Sequence, residues 1–291
     1  MLTRREAIAA TAATAASAAL GSTTLARGAA RPAASSVPAT GAGLRHSVCR
    51  WCYGGFSVDD LCKNAKEMGY ASVELLRENE YHIPAKYGME CAIAFGPDSI
   101  GRGWNRLDSH DENVKEAERL LPLIAAAKIP QMIVFSGNRG GISDEEGLKN
   151  CAAGLKRIMP LAESLGVQII MELLNSKRDH RGYMCDKTPW GVNLVNEVAS
   201  DRFRLLYDIY HMQIMEGDVI ATIREYKDFI GHYHTGGVPG RREIDDSQEL
   251  YYPAICKAIN ETGYSGFLGQ EFIPARDPMA SLKQAIEICT V

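Results

Sequence analysis

Val167-Gln-Ile-Ile-Met-Glu172 and Phe203-Arg-Leu-Leu-Tyr-Asp208 are two short apolar runs that each end in a carboxylate. Runs of this length, bounded by polar residues, predict buried strands. The apolar residues of the stretch between them, Trp190–Ala199, have the spacing of a helix. Strand, helix and strand form the unit of a parallel sheet, because two parallel strands need a long crossover connection. The recurrence of this unit therefore decides which fold the sequence predicts.

The same unit recurs along the chain from residue 44 onward. Eight strands are predicted, at residues 46–50, 71–76, 90–95, 131–136, 167–173, 203–208, 230–235 and 266–272. Helices are predicted between and after them, at Val58–Met68, Glu112–Ala127, Glu145–Leu165, Trp190–Ala199, Val219–Phe229, Pro253–Glu261 and Pro278–Ile288. Only the second crossover, around Glu78–Tyr87, lacks helical spacing.

Eight strands and crossovers in about 250 residues predict a closed (β/α)₈ TIM barrel, formed by residues 44–291 as a single α/β domain. An open doubly wound sheet is the alternative. That fold normally has a glycine-rich phosphate loop after its first strand, and Cys52-Tyr-Gly-Gly-Phe56 lacks the required spacing. A net charge of −4 argues against a protein whose main task is to neutralise phosphates, so no nucleic-acid partner is predicted.

Residues 1–43 differ in composition from the rest of the chain. Arg4-Arg5 is followed by a stretch without charge from Ala7 to Ala26, in which alanine dominates. A charged start, a weakly apolar stretch and a small-residue region predict a signal peptide and linker. The paired arginines are similar to a twin-arginine signal, which predicts export to the periplasm without stable membrane insertion after processing. A transmembrane anchor and a disordered cytosolic tail are the alternatives.

All eight cysteines follow this segment. Cys49 and Cys52 have C-x-x-C spacing, but no second pair with metal-ligand spacing accompanies them, so a zinc or redox site is the weaker interpretation. Proteins exported by the twin-arginine route cross the membrane already folded, which keeps buried thiols reduced. The sequence therefore predicts free thiols.

Polar side chains end four consecutive predicted strands. The fifth and sixth strands end in Glu172 and Asp208, the seventh in His234 and the eighth in Glu271. In a TIM barrel these strand ends meet at the face that carries the active site. Three carboxylates in one concave site would repel one another unless a cation compensates them. Oxygen donors with one imidazole suit Mn²⁺ or Mg²⁺, and we expect the donor atoms to converge within about 5 Å.

Several motifs resemble the xylose-isomerase-like barrel superfamily, most of all its hydroxypyruvate isomerase branch, with the ketose 3-epimerases as neighbours. The motifs are Met171-Glu-Leu-Leu-Asn175, Tyr207-Asp-Ile-Tyr-His-Met-Gln213, Met215-Glu-Gly217, Gly231-His-Tyr-His-Thr235, Gly237-Val-Pro-Gly-Arg241-Arg-Glu243 and Gly269-Gln-Glu-Phe272. The resemblance covers roughly residues 44–285 and is strongest between 167 and 274.

The resemblance implies roles for individual positions. Glu172, Asp208, His234 and Glu271 match the metal ligands of the family. Glu172 and Glu271 also match the two carboxylates that move a proton during catalysis. His211 and Arg241 match residues that bind the oxygens of the substrate. The isomerase branch commonly has Gln where His234 stands and the epimerase branch has His, so the substrate stays open between a small keto acid and a sugar.

The chemistry expected of such a site is proton transfer next to a carbonyl. One carboxylate removes a proton, a divalent cation stabilises the resulting enediolate, and a second carboxylate returns the proton. Return to the neighbouring carbon is isomerisation, as in hydroxypyruvate isomerase. Return to the opposite face of the same carbon is epimerisation, as in a ketose 3-epimerase.

Other functions remain as alternatives. They are a metal-dependent lyase or hydrolase of keto-glycosides, a phosphate-ester-cleaving relative of the endonucleases, and an exported carbohydrate-binding barrel without activity. The endonuclease is disfavoured because the chain has only seven histidines. The sequence leaves the oligomeric state open, a homo-oligomer included.

A further set of residues has both structural and functional interpretations. Glu74 ends the second strand and is interpreted either as a substrate contact or as a structural hydrogen-bond partner. His232 points the same way as His234, one layer deeper, and is predicted to be a hydrogen-bonded core residue. Aromatic residues near the first and third strands either line the pocket or belong to the core: Trp51, Tyr53, Phe95 and Trp104. Basic residues of one loop are either solvated or contact an anionic substrate: Lys177, Arg178 and Arg181.

Overall fold

Parallel strands alternate with helices along residues 43–291, the part of the chain that this computed structural model describes. The strands are β1 (Arg45–Cys49), β2 (Ser72–Glu74), β3 (Ile93–Ala94), β4 (Gln131–Val134), β5 (Gln168–Glu172), β6 (Phe203–Asp208), β7 (Ile230–Thr235) and β8 (Phe267–Gln270). The helices are α1 (Val58–Glu67), α2 (His110–Ala126), α3 (Asp144–Leu165), α4 (Thr188–Val198), α5 (Ile209–Met215), α6 (Val219–Tyr226), α7 (Tyr252–Glu261) and α8 (Pro278–Cys289). The predicted signal peptide lies outside the described residues, apart from residue 43.

The strands form one sheet in the order β2, β1, β8, β7, β6, β5, β4, β3, and every paired neighbour is parallel. Two isolated bridges, Ser72 with Glu90 and Leu76 with Ala94, join the two ends of that order. These bridges close the barrel. The prediction of a (β/α)₈ TIM barrel is confirmed, and the open doubly wound alternative is wrong.

β4 and β5 contain continuous apolar runs, Met132–Val134 and Ile169–Met171, because both faces of these strands are covered, by helices outside and by side chains inside the barrel. Ile169, Ile170 and Met171 of β5 are all fully buried. The helices pack closely on this sheet and on one another. A Cβ on Gly154 of α3 would lie 2.7 Å from the ring of Trp104, a distance at which something must move.

The helix boundaries follow local capping. The hydroxyl of Ser57 accepts a hydrogen bond from the Asp60 N–H at the start of α1, and Ser143 does the same for Glu146 at α3. Gly166 ends α3 in the left-handed conformation, at a φ of 72°. The second crossover contains two 3₁₀ turns, Glu78–Glu80 and Pro84–Tyr87, in place of an α-helix.

One crossover differs from the prediction. The short helix α5 follows β6 directly and precedes α6, whereas the sequence predicted only the later helix. The last residue of β6 starts α5, because the Oδ1 of Asp208 accepts a hydrogen bond from the His211 N–H at 3.0 Å. A strand-end carboxylate thus also acts as a helix cap, and this brings His211 to the same face of the barrel.

Two further findings concern membrane-spanning helices and the cysteines. Among the described residues, no helix combines the length and the apolar character that crossing a membrane requires. All eight cysteines are unpaired, and only Cys52 is not fully buried. The prediction of free thiols agrees with this arrangement.

Candidate metal centre and active site

The structure brings the four predicted metal ligands together at the carboxyl-terminal face of the barrel. Glu172 and Asp208 are the last residues of β5 and β6. His234 lies one residue before the end of β7, and Glu271 directly follows β8. Each of the four offers a donor atom, and these atoms all lie within 4.8 Å of one another. All four side chains are buried.

Two of these donor atoms lack hydrogen bonds. The Nδ1 of His234 and the Oε1 of Glu172 are buried without a hydrogen bond and lie 3.4 Å from each other, and Nδ1 also lies 2.9 Å from the Oε2 of Glu271. Burial of an unpaired polar atom costs roughly 1–3 kcal/mol, so such atoms usually have a ligand, a water or an ion as their partner. One cation bound to both atoms would give each of them a partner.

Among the described residues, Arg241 is the only arginine or lysine whose side chain contacts this cluster. Its Nη2 pairs with the Oε2 of Glu271 and lies 3.3 Å from the Oδ2 of Asp208. The guanidinium also lies over the rings of Trp51 and Tyr210, 5.1 and 5.3 Å from their centroids. Metal ligation requires all three carboxylates in the ionised form, and one guanidinium then leaves two of their negative charges for a divalent cation to compensate.

The residues therefore fit a hard divalent cation. Three carboxylates and one imidazole are a donor set that Mn²⁺ accepts readily and Mg²⁺ accepts with water completing the shell. Glu172, Asp208, His234 and Glu271 would hold the ion. Their role as metal ligands stays a prediction.

Burial and neighbouring charges push the pKa values of the carboxylates apart. Burial, reinforced by Glu271, raises the pKa of Glu172 above its usual range. Burial also raises the pKa of Asp208, against the opposing charge of Arg241. For Glu271 burial acts in the same direction, but Arg241 and His234 outweigh it and hold its pKa well below the usual range. Without a cation, this cluster therefore favours the ionised form of Glu271 over those of Glu172 and Asp208.

The imidazole of His234 contacts a different carboxylate with its other nitrogen. Its Nε2 lies 2.7 Å from the Oε1 of Glu74, which is fully buried at the end of β2. Burial alone would raise the pKa of Glu74, but the imidazoles of His232 and His234 outweigh it and lower that pKa. The structural interpretation of Glu74 as a hydrogen-bond partner is the one that the structure supports. His232 is buried beneath, as predicted, and its Nε2 lies 3.3 Å from the same oxygen, but neither of its ring nitrogens makes the predicted hydrogen bond.

His211 faces the cluster with a fixed tautomer. Its Nδ1 accepts a hydrogen bond from the Asn175 backbone N–H at 3.2 Å. Its Nε2 must then carry the proton, and this atom is buried without a partner, 3.7 Å from the Oδ2 of Asp208. Burial lowers the pKa of His211 well below its usual value, and Arg241 adds to the effect. His211 is therefore a neutral N–H donor directed at the site.

A cavity of about 310 Å³ opens beside the donor cluster. Glu172, Glu271, Arg241 and His180 form its polar side. The opposite walls are apolar: Trp51, Leu75, Phe95, Ile100, Ile133, Phe135 and Leu174. A cavity with convergent polar groups on one side and apolar walls on the other is typical of a small-molecule site.

The aromatic residues that the sequence left open divide into two groups. Trp51 and Phe95 line the cavity, and the indole N–H of Trp51 donates to Glu271 at 2.7 Å. Tyr53 and Trp104 belong to the core, at 2% and 0% exposure. Tyr53 packs edge-on against Phe272, with ring centroids 6.3 Å apart.

The basic loop after β5 contributes less than its charge suggests. The ammonium of Lys177 donates to the carbonyls of Ile214 and Met215, at 2.7 and 2.9 Å, and so caps the end of α5. Arg178 and Arg181 are exposed. Lys177 therefore has a structural role that neither of the two interpretations, solvation or a substrate contact, included.

Sequence reasoning missed the residues that position the predicted ones. Asn175 was quoted only as part of a motif, yet it orients His211. Tyr210 stacks on Arg241 and donates a hydrogen bond to Asp179 at 2.7 Å. The signal that could have revealed Asn175 and Tyr210 is their place immediately after a strand end, next to predicted site residues.

Comparison with known proteins agrees with this geometry. Residues 62–290 match the family described as xylose isomerase-like TIM barrel. A 2-oxo-tetronate isomerase of Cupriavidus necator is 35% identical over 121 residues, which is 42% of this chain and 46% of that protein, so the chain spans about half the length of this relative. Hydroxypyruvate isomerase of Escherichia coli is 28% identical over 235 residues, which is 76% of this chain and 90% of that protein.

Solved structures show the same fold. The crystal structure of an AP endonuclease, family 2, from Brucella melitensis superposes with a TM-score of 0.74. The match covers 82% of this chain and 97% of the other, at 21% sequence identity. At this identity the likeness concerns the fold alone.

Proposed function

This chain belongs to the xylose isomerase-like TIM barrel family, and from this premise we propose that it is a metal-dependent isomerase of a small hydroxy-keto acid or sugar. One observation carries the proposal. Glu172 and Glu271 lie with Asp208 and His234 in one buried cluster, within 4.8 Å, beside a cavity of small-molecule size. Two carboxylates that reach one substrate position are what proton transfer between neighbouring carbons requires.

The residues of the chain divide the chemistry between them. A divalent cation bound by the four ligands would stabilise negative charge on the carbonyl and hydroxyl oxygens of the substrate. Glu172 and Glu271 are the two carboxylates that would move the proton: one accepts it from the carbon next to the carbonyl, and the other returns it. The neutral Nε2–H of His211 faces the donor cluster, so it is suited to donate a hydrogen bond to a substrate oxygen that gains negative charge.

Hydroxypyruvate is the substrate that we propose. Removal of a proton from its hydroxymethyl carbon and return to the former carbonyl carbon gives tartronate semialdehyde, with no change in overall composition. Its carboxylate needs a cationic partner, and the Arg241 guanidinium lines the cavity. The relatives named 2-oxo-tetronate isomerase and hydroxypyruvate isomerase support this substrate class.

A ketose 3-epimerase is the second candidate. His234 favours it, because the resemblance places histidine at this position in the epimerase branch. The proton-transfer residues would be the same, and only the carbon that receives the proton would differ. The two candidates therefore differ in product and share the residues of the site.

Solvent exchange tests the proposal. The full chain, loaded with Mn²⁺ in D₂O, is incubated with hydroxypyruvate and, separately, with a panel of ketoses. We expect deuterium to enter next to the carbonyl of hydroxypyruvate, with tartronate semialdehyde as product. Exchange only at C3 of a ketose would favour the epimerase. Absence of exchange with every compound, from protein shown to bind Mn²⁺, would contradict proton transfer as the function.

We also propose that the protein is exported. The composition of residues 1–43 and the Arg4-Arg5 pair support this proposal. Its test is a reporter fusion, described among the predictions below.

A further inference from the structure

Glu74 lies directly beneath the donor cluster, at the end of β2, and is fully buried. Three side chains surround its Oε1: the Nε2 of His234 at 2.7 Å, the Nε2 of His232 at 3.3 Å, and the thiol of Cys49, which donates at 3.3 Å. Its other oxygen, Oε2, is buried without a hydrogen-bond partner. A buried carboxylate destabilises the folded protein unless hydrogen bonds or an opposite charge compensate it.

The contact with Glu74 distinguishes the two nitrogens of His234. Nε2 is directed inward at Glu74, while Nδ1 is directed outward, 2.9 Å from Glu271 and 3.4 Å from Glu172. A neutral imidazole that donates its Nε2–H to Glu74 has its lone pair on Nδ1. The carboxylate therefore selects the tautomer in which the nitrogen that faces the cluster can bind a cation.

The neighbouring strand leaves room for this pair. Gly269 of β8 stands opposite His234 in the sheet register. A Cβ at Gly269 would lie 2.4 Å from the Oε1 of Glu74 and 2.8 Å from the Cδ2 of His234. Any side chain there would force the carboxylate and the imidazole apart. The absence of a side chain at this position is an observation independent of the hydrogen bond itself.

We propose that Glu74 is the positioning residue for the metal ligand His234. It holds the ring in one orientation and one tautomer, and its charge raises the basicity of Nδ1. Loss of a carboxylate that is hydrogen-bonded to a metal-bound histidine typically weakens metal binding by about 10–100-fold. This inference rests on the metal dependence of the proposed function. It does not depend on which substrate the enzyme takes.

Another interpretation of the same residues is a separate metal site. Cys49, Glu74 and His234 also offer donor atoms within 4.8 Å of one another. A cation there would bind the Nε2 of His234, which would then donate no proton to Glu74. The two interpretations therefore predict different numbers of bound ions and different effects of removing the thiol.

The test measures Mn²⁺ binding to the full chain, with free Mn²⁺ determined by electron paramagnetic resonance. We expect one site in the wild type and a dissociation constant about 10–100-fold higher in Glu74→Gln, because the amide keeps the volume but loses the charge. Cys49→Ser is the matched control, since it contacts the same oxygen. We expect its affinity to stay within threefold and its stoichiometry to stay at one. Circular dichroism at the assay temperature shows whether each variant is folded, and Glu74→Asp replaces Glu74→Gln if the latter does not fold.

A double-mutant cycle shows whether Glu74 acts through His234. In a His234→Ala background, Glu74→Gln should weaken Mn²⁺ binding by less than threefold, because the ligand that it positions is gone. The same loss in both backgrounds, or wild-type affinity in Glu74→Gln, would overturn the proposal. Two ions in the wild type and one in Cys49→Ser would overturn it in favour of the second site. If wild-type protein binds Mn²⁺ but exchanges no deuterium into any substrate, the proposed isomerase function is refuted. The proposal for Glu74 is not affected by that result.

Discussion

Removal of the Arg241 guanidinium should reveal how strongly the carboxylates of the site repel one another. Arg241→Met keeps most of the side-chain length but leaves Glu271 and Asp208 without the cation that now lies beside them. Removing one partner of a buried ion pair costs about 3–5 kcal/mol. The side chain of Arg241 is 13% exposed, and Glu172 and Asp208 can take up protons, so we expect the lower end of this range.

Thermal unfolding with and without metal measures this effect. In EDTA, a loss of about 3 kcal/mol should lower the melting temperature by roughly 6–12 °C, at about 2–4 °C per kcal/mol for a domain of this size. Saturating Mn²⁺ should stabilise Arg241→Met more than the wild type, because the ion supplies the missing positive charge. Arg242→Met is the control, since Arg242 is exposed, and its melting temperature should barely change. A metal-free Arg241→Met as stable as the wild type would refute the electrostatic description of the site.

Three further predictions concern other parts of the chain. Asp98 has a buried Oδ1 and a pKa that burial raises well above its usual value, so the folded state resists its ionisation. Asp98→Asn should therefore raise the free energy of unfolding at pH 7. The gain should shrink as the pH falls through ~4 towards ~3, where Asp98 becomes protonated in the unfolded state as well as in the folded state. Urea titrations that show a pH-independent gain would contradict this. Gly154→Ala should destabilise the barrel by about 1–3 kcal/mol, since its Cβ would lie 2.7 Å from the Trp104 ring. An unchanged urea midpoint in the same titration would contradict that close packing. Fusion of residues 1–43 to a reporter active only outside the cytoplasm should export it, and Arg4-Arg5→Lys-Lys should abolish export; a reporter retained with the native pair would remove the signal interpretation.

The sequence was sufficient to predict the barrel and the positions of the four donors. A strand such as β5 has a continuous apolar run, Ile169–Met171, that ends in one carboxylate, and parallel strands place those ends at one face. Helix α5 was missed because Ile209–Met215 follows β6 without a turn and is apolar on almost every side. The role of Lys177 was missed for the same reason, because the helix end that it caps was not predicted.

Contacts between distant strands could not be read from the sequence. Glu74 and His234 are 160 residues apart, and their meeting depends on the register of β2, β8 and β7 inside the barrel. The tautomer of His211 depends on a backbone N–H, that of Asn175, whose direction no residue pattern encodes. The pairing of Arg241 with Glu271 likewise needs the path of the loop after β7. Sequence reasoning therefore identified the groups that we propose do the chemistry and could not identify the groups that orient them.

Deuterium exchange in the Glu172→Gln and Glu271→Gln variants tests the central claim most directly. Glutamine keeps an oxygen ligand and a similar volume but cannot accept the proton. We expect both variants to bind Mn²⁺, with exchange into hydroxypyruvate slowed by roughly 10²–10⁴-fold, the usual loss when a general acid or base is removed. Exchange at the wild-type rate in both metal-loaded variants would contradict proton transfer by this pair of carboxylates.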